Sequence, residues 1–235
     1  MLQGNLNLEK LLPAPSLKEM ALSIIKEAVL SKKLEPEKMY TEAALTNEMG
    51  ISRTPVREAL IHLASRGMII YYPRKGFKIK SMTEKDVKDL FELRLALELT
   101  VIRHITPDLT EESLAEIEKV WNQYLKVVQT GDPVALIRAN RDFHIYLAQL
   151  TENSYLINAL DEIRDLTDLA GVRSLEVDSR TLEATEEHGR IFVELKQHSL
   201  EGALRQMEAH IRTTEERVTA RIRKANAPLR EGEYQ

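Results

Sequence analysis

Three of the six histidines occupy positions from which imidazole groups could bind a metal ion. His144, His188 and His210 lie on the apolar stripes of three different predicted helices. Burial of three imidazoles costs solvation free energy, which a bound metal would offset. Asn140 precedes His144 by four residues, so both side chains point from one helix face toward the same place. Three nitrogens and one amide oxygen suit Zn, Ni, Cu, Fe or Mn and leave coordination positions open.

A histidine cluster without metal is the alternative interpretation. A single histidine on an apolar stripe is more often a hydrogen-bonded core residue than a ligand. His62, His104 and His198 lie away from these stripes and are not ligand candidates. Asp142 is two residues from His144, so on a helix it points in another direction.

Arg94 and Glu98 form a second pair of chemically active groups. They lie on an apolar stripe with Val87, Leu90 and Phe91. Their spacing of four residues is typical of an ion pair that stabilises a helix, and it is equally consistent with a functional pair.

Basic residues cluster at the beginning of another predicted helix, at Arg53 and Arg57. Arginine can donate two hydrogen bonds to a guanine edge, and a helix N-terminus favours phosphate. Residues 1–82 contain 13 Lys and Arg against 8 Asp and Glu, a net charge of +5, whereas residues 83–235 contain 20 against 29, a net charge of −9. This asymmetry predicts two domains with different partners, the basic one suited to DNA.

The composition of the 235 residues excludes several kinds of site. Cysteine is absent, which excludes disulfides, iron–sulfur clusters, thiolate zinc sites and cysteine nucleophiles. The longest run without a charged residue, Phe143 to Thr151, is nine residues and too short to span a bilayer. The first ten residues do not read as a signal peptide. We therefore expect a cytoplasmic protein without a membrane partner.

The elements that position these residues are predicted to be mainly helical. Periodicity predicts helices over 16–31, 41–49 and 52–65, then two β-prone runs on either side of Pro73–Gly76. The rest of the chain predicts six helices, over 83–105, 110–130, 132–150, 153–173, 179–198 and 199–225. The predicted fold is an N-terminal winged helix-turn-helix, with three helices and a β-hairpin wing, followed by an all-α antiparallel six-helix bundle.

The segment Ile51–Leu60, followed by Leu63–Ile69 and a glycine-containing wing, resembles the GntR family of bacterial transcription factors. The resemblance implies base contacts from Arg53 and Arg57, and base or phosphate contacts from Ser52 and Thr54. It also implies a wing tip of Lys75 and Gly76 at the minor groove. Family members often carry Arg in the second helix, where this chain has Ala43.

Three further segments, 140–144, 187–191 and 207–211, are similar to the metal-ligand motifs of the FCD effector domain, which is fused to GntR-type winged helices in the FadR-like subfamily. The resemblance implies that Asn140, His144, His188 and His210 are metal ligands. Residues 91–98 resemble the first FCD helix, which implies that Arg94 binds a carboxylate of the effector. A bundle of six helices resembles the shorter, VanR-type subgroup.

The predicted domains are a tail over 1–15, a DNA-binding domain over 16–80, a linker over 81–83, an effector-binding and dimerisation domain over 84–226, and a tail over 227–235.

Together these features predict a DNA-binding regulator, a repressor, that binds a pseudo-palindromic operator as a homodimer. It would respond to a small carboxylate at a divalent metal, with Zn, Ni or Mn as candidates. One alternative is a metal-free bundle that dimerises the DNA-binding domains, with any effector bound without metal. The other is a metal-dependent hydrolase or lyase, which would leave the winged helix unexplained and lacks a His-Glu-x-x-His motif. We therefore expect that the protein is not an enzyme.

Overall fold

The computed structural model describes residues 14–172 and 178–226. The N-terminal part contains α1 (Leu17–Leu30), α2 (Glu42–Met49), α3 (Arg53–Ser65) and two strands, β1 (Ile69–Tyr72) and β2 (Gly76–Ile79). The C-terminal part contains α4 (Glu84–Ile105), α5 (Glu111–Thr130), α6 (Pro133–Gln149), α7 (Ser154–Val172), α8 (Asp178–Lys196) and α9 (Leu200–Asn226).

The predicted architecture is confirmed: a helix-turn-helix with a small β-hairpin wing precedes a helical domain. A single 3₁₀ turn at Thr106–Asp108 follows α4 and was not predicted. The predicted C-terminal tail, most of the predicted N-terminal tail and the predicted helix end at residue 173 lie outside the described residues.

Side chains that precede the helices determine where several of them begin. Ser16, Thr83 and Thr110 each accept a hydrogen bond from the backbone N–H three residues later, and the residue at that position bonds back to the cap. Gly50 and Gly131 end α2 and α5 in the left-handed conformation that glycine adopts without steric cost. Local sequence therefore fixes these helix ends before tertiary packing is considered.

The N-terminal domain is built on the packing of α1 against α3. Ala21 and Ile25 of α1 and Val56 and Leu60 of α3 are buried in its core. The strands are antiparallel, with Ile69 opposite Ile79 and Tyr72 opposite Gly76.

The helical domain is arranged around α4. This helix packs against α9 and α7, while α5 packs against α6 and α8, and α8 packs against α9. Apolar residues from each of the six helices fill the interior. Within residues 14–172 and 178–226, no helix is long and apolar enough to cross a membrane.

An ion cluster on α7 connects the two domains. Asp165 is 2% exposed, and both of its carboxylate oxygens lie 2.9 Å from Lys26 Nζ of α1. Arg66, just after α3, donates from Nε to the same carboxylate at 3.0 Å. Arg141 of α6 places Nη2 2.8 Å from Asp165 Oδ1. Three cations from three segments therefore meet one buried carboxylate.

Two further carboxylates on α7 extend this cluster. Asp161 accepts hydrogen bonds from Arg66 Nη2 at 2.5 Å and from Arg141 Nη2 at 2.6 Å. Asp168 accepts from Arg141 Nη1 at 3.0 Å. Although burial opposes the charged form of Arg141, the neighbouring Asp168, Asp165 and Asp161 raise its pKa. Because the carboxylates are spaced three or four residues apart, they form one acidic face of α7 that holds the N-terminal domain.

We expect Asp165→Asn to lower the free energy of unfolding by about 1–3 kcal/mol, because an amide cannot accept charge-assisted hydrogen bonds from three cations. Urea unfolding of the full chain measures this. Glu162→Gln is the matched control, since Glu162 also lies on α7, is half exposed and is 3.7 Å from Arg66 Nη1. The control should change stability by less than about 0.5 kcal/mol. Equal stability of Asp165→Asn and wild type would show that the cluster does not hold the domains together.

Candidate metal centre and DNA-contacting face

Three buried imidazole rings from three helices meet inside the helical domain. His144 of α6, His188 of α8 and His210 of α9 are at most 2% exposed. Each offers one ring nitrogen, and these nitrogens lie within 4.8 Å of one another. The ring centroids are 4.4 to 5.2 Å apart. The structure thus brings together three side chains that are 44 and 22 residues apart along the chain, in an arrangement that could hold a metal ion.

Hydrogen bonds at the outer edge of the cluster orient all three rings. His144 Nδ1 is 2.9 Å from the Glu98 carboxylate, and His210 Nδ1 is 2.7 Å from Glu187 Oε2. His188 Nδ1 is 2.6 Å from the carbonyl oxygen of Ala184. Since each of these partners is an acceptor, Nδ1 carries the hydrogen and Nε2 carries a lone pair directed inward. This pattern of imidazoles held by carboxylate or carbonyl oxygen is typical of metal-binding histidines.

The charge state of two of the rings also suits a cation. Burial lowers the pKa of His144 and His188 well below the ordinary value, and nearby positive groups lower both further. At neutral pH these imidazoles are therefore uncharged. Their Nε2 atoms face one another at 3.1 Å, an approach of two lone pairs that a shared proton or a metal ion would stabilise.

Asn140 joins the cluster, but with its amide nitrogen toward the histidines. Its Nδ2 lies 3.1 Å from His188 Nε2, and its Oδ1 accepts a hydrogen bond from Arg164 Nη2. The two ends of an amide have nearly the same shape, so a turn of about 180° exchanges them. Only the turned amide would present its oxygen to a metal.

Glu98 serves two partners at once. It is fully buried, accepts from His144, and lies 3.3 Å from Arg94 Nε at the predicted spacing of one helical turn. The ion pair that the sequence suggested is therefore present. The same carboxylate also orients a histidine of the cluster, so the pair is continuous with the candidate site.

Sequence reasoning missed three residues around the cluster: Glu98 and Glu187 as histidine partners, and Arg164 as the partner of Asn140. Arg164 is completely buried on α7, one turn after the buried Leu160. A charged residue on an apolar stripe was the signal that singled out Arg94, and the same signal was available for Arg164.

An open groove of about 600 Å³ runs beside the cluster between α5 and α6. Tyr124 lines it, and the Tyr124 ring centroid is 5.1 Å from that of His188. Trp121 stacks on Tyr124 at 5.4 Å. Asp142 also lines the groove, as expected for a side chain that points away from the histidines. Tyr124 thus borders both the groove and the His188 ring.

The predicted DNA-contacting residues lie on one face of the N-terminal domain. Ser52, Arg53, Thr54 and Arg57 are exposed at the beginning of α3. A cleft of about 230 Å³ lies between this region and the wing, and Arg53, Arg74, Lys75, Gly76 and Ala43 line it together with Thr41 and Glu42. The beginning of α3 and the wing tip therefore form one surface.

Gly76 holds the wing against the rest of the domain. Its φ of +126° suits glycine, and a Cβ atom there would lie 2.0 Å from the Tyr40 carbonyl oxygen. Tyr40 and Phe77 exchange two backbone hydrogen bonds of 2.9 and 2.8 Å. Gly76 thus makes this close backbone approach possible, a role beyond any contact with DNA.

Tyr71 connects the wing to α2. Its hydroxyl donates to the Glu42 carboxylate of α2, and this hydrogen bond raises the pKa of Tyr71. Arg57 of α3 lies near enough to oppose that shift. Tyr71 was not singled out from the sequence, because an aromatic residue in a strand is more often explained by packing.

Both parts of the chain match known protein families. Residues 17–79 match the description "Bacterial regulatory proteins, gntR family", and residues 89–213 match the FCD domain. These ranges lie close to the predicted domains of 16–80 and 84–226, whose boundaries stay a prediction.

Relatives cover most of the chain. The uncharacterized HTH-type transcriptional regulator YdhC of Bacillus subtilis is 30% identical over 79% of this chain and 84% of its own length. The HTH-type transcriptional repressor RspR of Escherichia coli is 22% identical over 92% of this chain and 94% of its own length. The solved structure of E. coli McbR/YncC superposes with a TM-score of 0.77 at 20% identity, covering 91% of this chain and all of the other.

The matching domains and relatives are transcriptional regulators rather than enzymes, which removes the hydrolase or lyase interpretation. The chain belongs to the GntR family of bacterial transcriptional regulators, with an N-terminal GntR helix-turn-helix and a C-terminal FCD domain.

Proposed function

We propose that this regulator is a cytoplasmic repressor that binds a pseudo-palindromic operator as a homodimer and responds to a small carboxylate at a metal ion in its helical domain. The observation that carries the proposal is the convergence of three buried imidazole rings whose Nδ1 atoms are held by acceptors. That the relative RspR is named a repressor supports the assignment as a repressor. Assignment to the FadR-like, VanR-type subgroup is part of the same proposal.

The metal ligands are His144, His188 and His210, with Asn140 as the fourth when its amide is turned. The donor set of nitrogens and one neutral oxygen suits Zn, Ni or Mn. Bound there, the metal would supply positive charge and open coordination positions for a carboxylate oxygen. Glu98 and Glu187 keep the imidazole Nε2 atoms available by accepting from Nδ1.

Arg94 is proposed to bind the effector carboxylate. It is 3% exposed, and its Nη2 has no hydrogen-bond partner among the described residues. A buried guanidinium nitrogen without an acceptor is unfavourable, and an effector carboxylate would provide a charge-assisted partner. Since Glu98 contacts both Arg94 and His144, effector and metal would bind adjacent groups.

On the DNA side, Arg53 and Arg57 are proposed to contact base edges in the major groove, and Ser52 and Thr54 phosphates or bases. Lys75 and Gly76 would form the wing tip at the minor groove. Exposure of these side chains at the beginning of α3 and the shared cleft with the wing support this assignment.

Communication between the sites is proposed to run through α7. Arg164 on one face of α7 donates to Asn140, and the neighbouring Asp165 binds Lys26 and Arg66 of the DNA-binding domain. A turn of the Asn140 amide on metal binding would remove the acceptor of Arg164 Nη2. Any resulting shift of α7 would act directly on the DNA-binding domain, provided that effector binds the two arrangements with different affinity.

The second candidate is a metal-free effector domain. The hydrogen bonds of Asn140 to His188 and Arg164 favour it, because they partly satisfy the cluster without a metal. In that case an effector would bind through Arg94 and neighbouring polar groups alone.

For DNA binding, we expect Arg57→Ala to weaken operator binding by about 1–3 kcal/mol, the discrimination supplied by a bidentate contact to a base. An operator selected from a random duplex library with the wild-type chain provides the probe, and fluorescence anisotropy measures affinity. Arg205→Ala on α9 removes an exposed arginine of the helical domain and should leave affinity unchanged. Wild-type affinity of Arg57→Ala would remove Arg57 from the interface.

For the metal, we expect about one transition metal per chain in wild type after incubation with Zn, Ni or Mn and removal of unbound ions. His188→Ala should lose it, because one of three converging nitrogens is gone. His104→Ala is the control, since His104 is exposed in the last turn of α4 and outside the cluster. Elemental analysis by plasma mass spectrometry gives the content. A metal-free wild type would instead support the second candidate.

A further inference from the structure

Arg164 is a buried cation whose hydrogen bonds are incomplete. It is 0% exposed, and its Nη2 donates to Asn140. Its Nε and Nη1 have no hydrogen-bond partner in the described part of the chain. The nearest carboxylate oxygens are Glu98 Oε1 at 3.8 Å from Nη1 and Asp168 Oδ1 at 3.9 Å from Nη2, both beyond hydrogen-bond distance.

The surroundings of this buried cation do not compensate its charge fully. Arg94 repels it, and Asp168 and Glu98 attract it only from beyond hydrogen-bond distance. A buried guanidinium without hydrogen-bond acceptors is stabilised most by an anion, which supplies the acceptors that water supplies at the surface.

Two guanidinium groups lie near the same buried carboxylate, that of Glu98. Arg94 approaches from α4 and Arg164 from α7, and Glu98 lies 3.3 Å from the first and 3.8 Å from the second. Glu98 is already engaged by His144. Three nitrogens on the two arginines, one on Arg94 and two on Arg164, remain without an acceptor among the described residues. Asn140 places Arg164 next to the histidine cluster, through one hydrogen bond on either side of its amide.

We infer that Arg164 binds a second carboxylate of the effector, so that the site selects compact dicarboxylates over monocarboxylates. One carboxylate would occupy the position between the histidines and Arg94 assigned above, and the other would accept from Arg164. A monocarboxylate of the same length would leave the free nitrogens of Arg164 without acceptors. A buried site discriminates most strongly against a ligand that leaves its polar groups unpaired in this way. The inference rests on the proposed carboxylate site.

Calorimetric titration of the zinc-loaded full-length chain tests it. The probes are malonate, succinate and glutarate, each compared with the monocarboxylate of equal carbon number: propionate, butyrate and valerate. We expect at least one dicarboxylate to bind about tenfold or more tighter than its monocarboxylate, the size of one additional charge-assisted contact. Inorganic phosphate is titrated in parallel and should bind more weakly than that dicarboxylate.

Arg164→Met removes the second guanidinium while keeping an unbranched side chain in the core. In this variant the preference should fall to within about threefold, a difference of less than one contact. Arg205→Met is the control: it removes an exposed arginine of α9 that is paired with Glu201, and it should keep the wild-type preference. Circular dichroism checks folding. If Arg164→Met does not fold, Arg164→Lys serves instead, because it keeps the charge but loses the planar fork and should also lower the preference.

The outcomes separate the two hypotheses. A zinc-loaded wild type that binds both acids of every pair equally, or an Arg164 variant that keeps the preference, overturns the inference and leaves the proposed function intact. Phosphate binding as tight as the best dicarboxylate overturns the assigned ligand class. Failure of wild type to retain any of Zn, Ni and Mn, or of every carboxylate to bind to zinc-loaded protein, refutes the proposed metal-dependent function itself.

Discussion

Burial of ionisable side chains in an apolar helical domain is the constraint on which the rest of this structure depends. Arg94, Glu98 and Arg164, together with three histidines, lie at 0 to 3% exposure. Such groups are tolerated only when hydrogen bonds or opposite charges replace water. Glu98 meets this requirement for two neighbours at once, and Glu187 meets it for His210. Because each buried ring has an acceptor at Nδ1, its orientation is fixed and its Nε2 atom points toward the other two rings.

Helix α7 connects the buried charged groups of the helical domain to the N-terminal domain. Arg164 donates to Asn140 beside the histidine cluster, while Asp161, Asp165 and Asp168 bind Lys26, Arg66 and Arg141. Arg141 is the residue after Asn140, so α6 contributes to both networks as well. Because the two charged networks adjoin on α7, a rotation or shift of this helix alters both. This mechanical connection distinguishes the domain contact from a flexible linker.

The sequence predicted the elements and the cluster more completely than the contacts that orient them. Periodicity, N-caps and glycines determine helices from short segments, so α1 to α9 were predictable from local patterns. The three histidines were found because each lies on an apolar stripe. The partners Glu98 and Glu187, by contrast, act across helices, and a helical pattern does not specify which neighbouring helix lies opposite. The position of Arg164 on an apolar stripe was readable from the sequence, but its partner Asn140 on another helix was not. The orientation of the Asn140 amide depends on both neighbours and could not be read from residue type.

The backbone contact at Gly76 affects the conformational entropy of DNA binding. Because its backbone lies against that of Tyr40, and Tyr40 and Phe77 are joined by two hydrogen bonds, the wing is fixed to the segment that enters α2. Glu42 and Tyr71 add a side-chain connection between the same elements. Folding thus fixes the position of the wing relative to the helix-turn-helix. Binding of a DNA duplex then costs little further conformational entropy. Changes in DNA sequence preference within such a domain would then arise from substitutions of its exposed side chains, while the backbone stays constant.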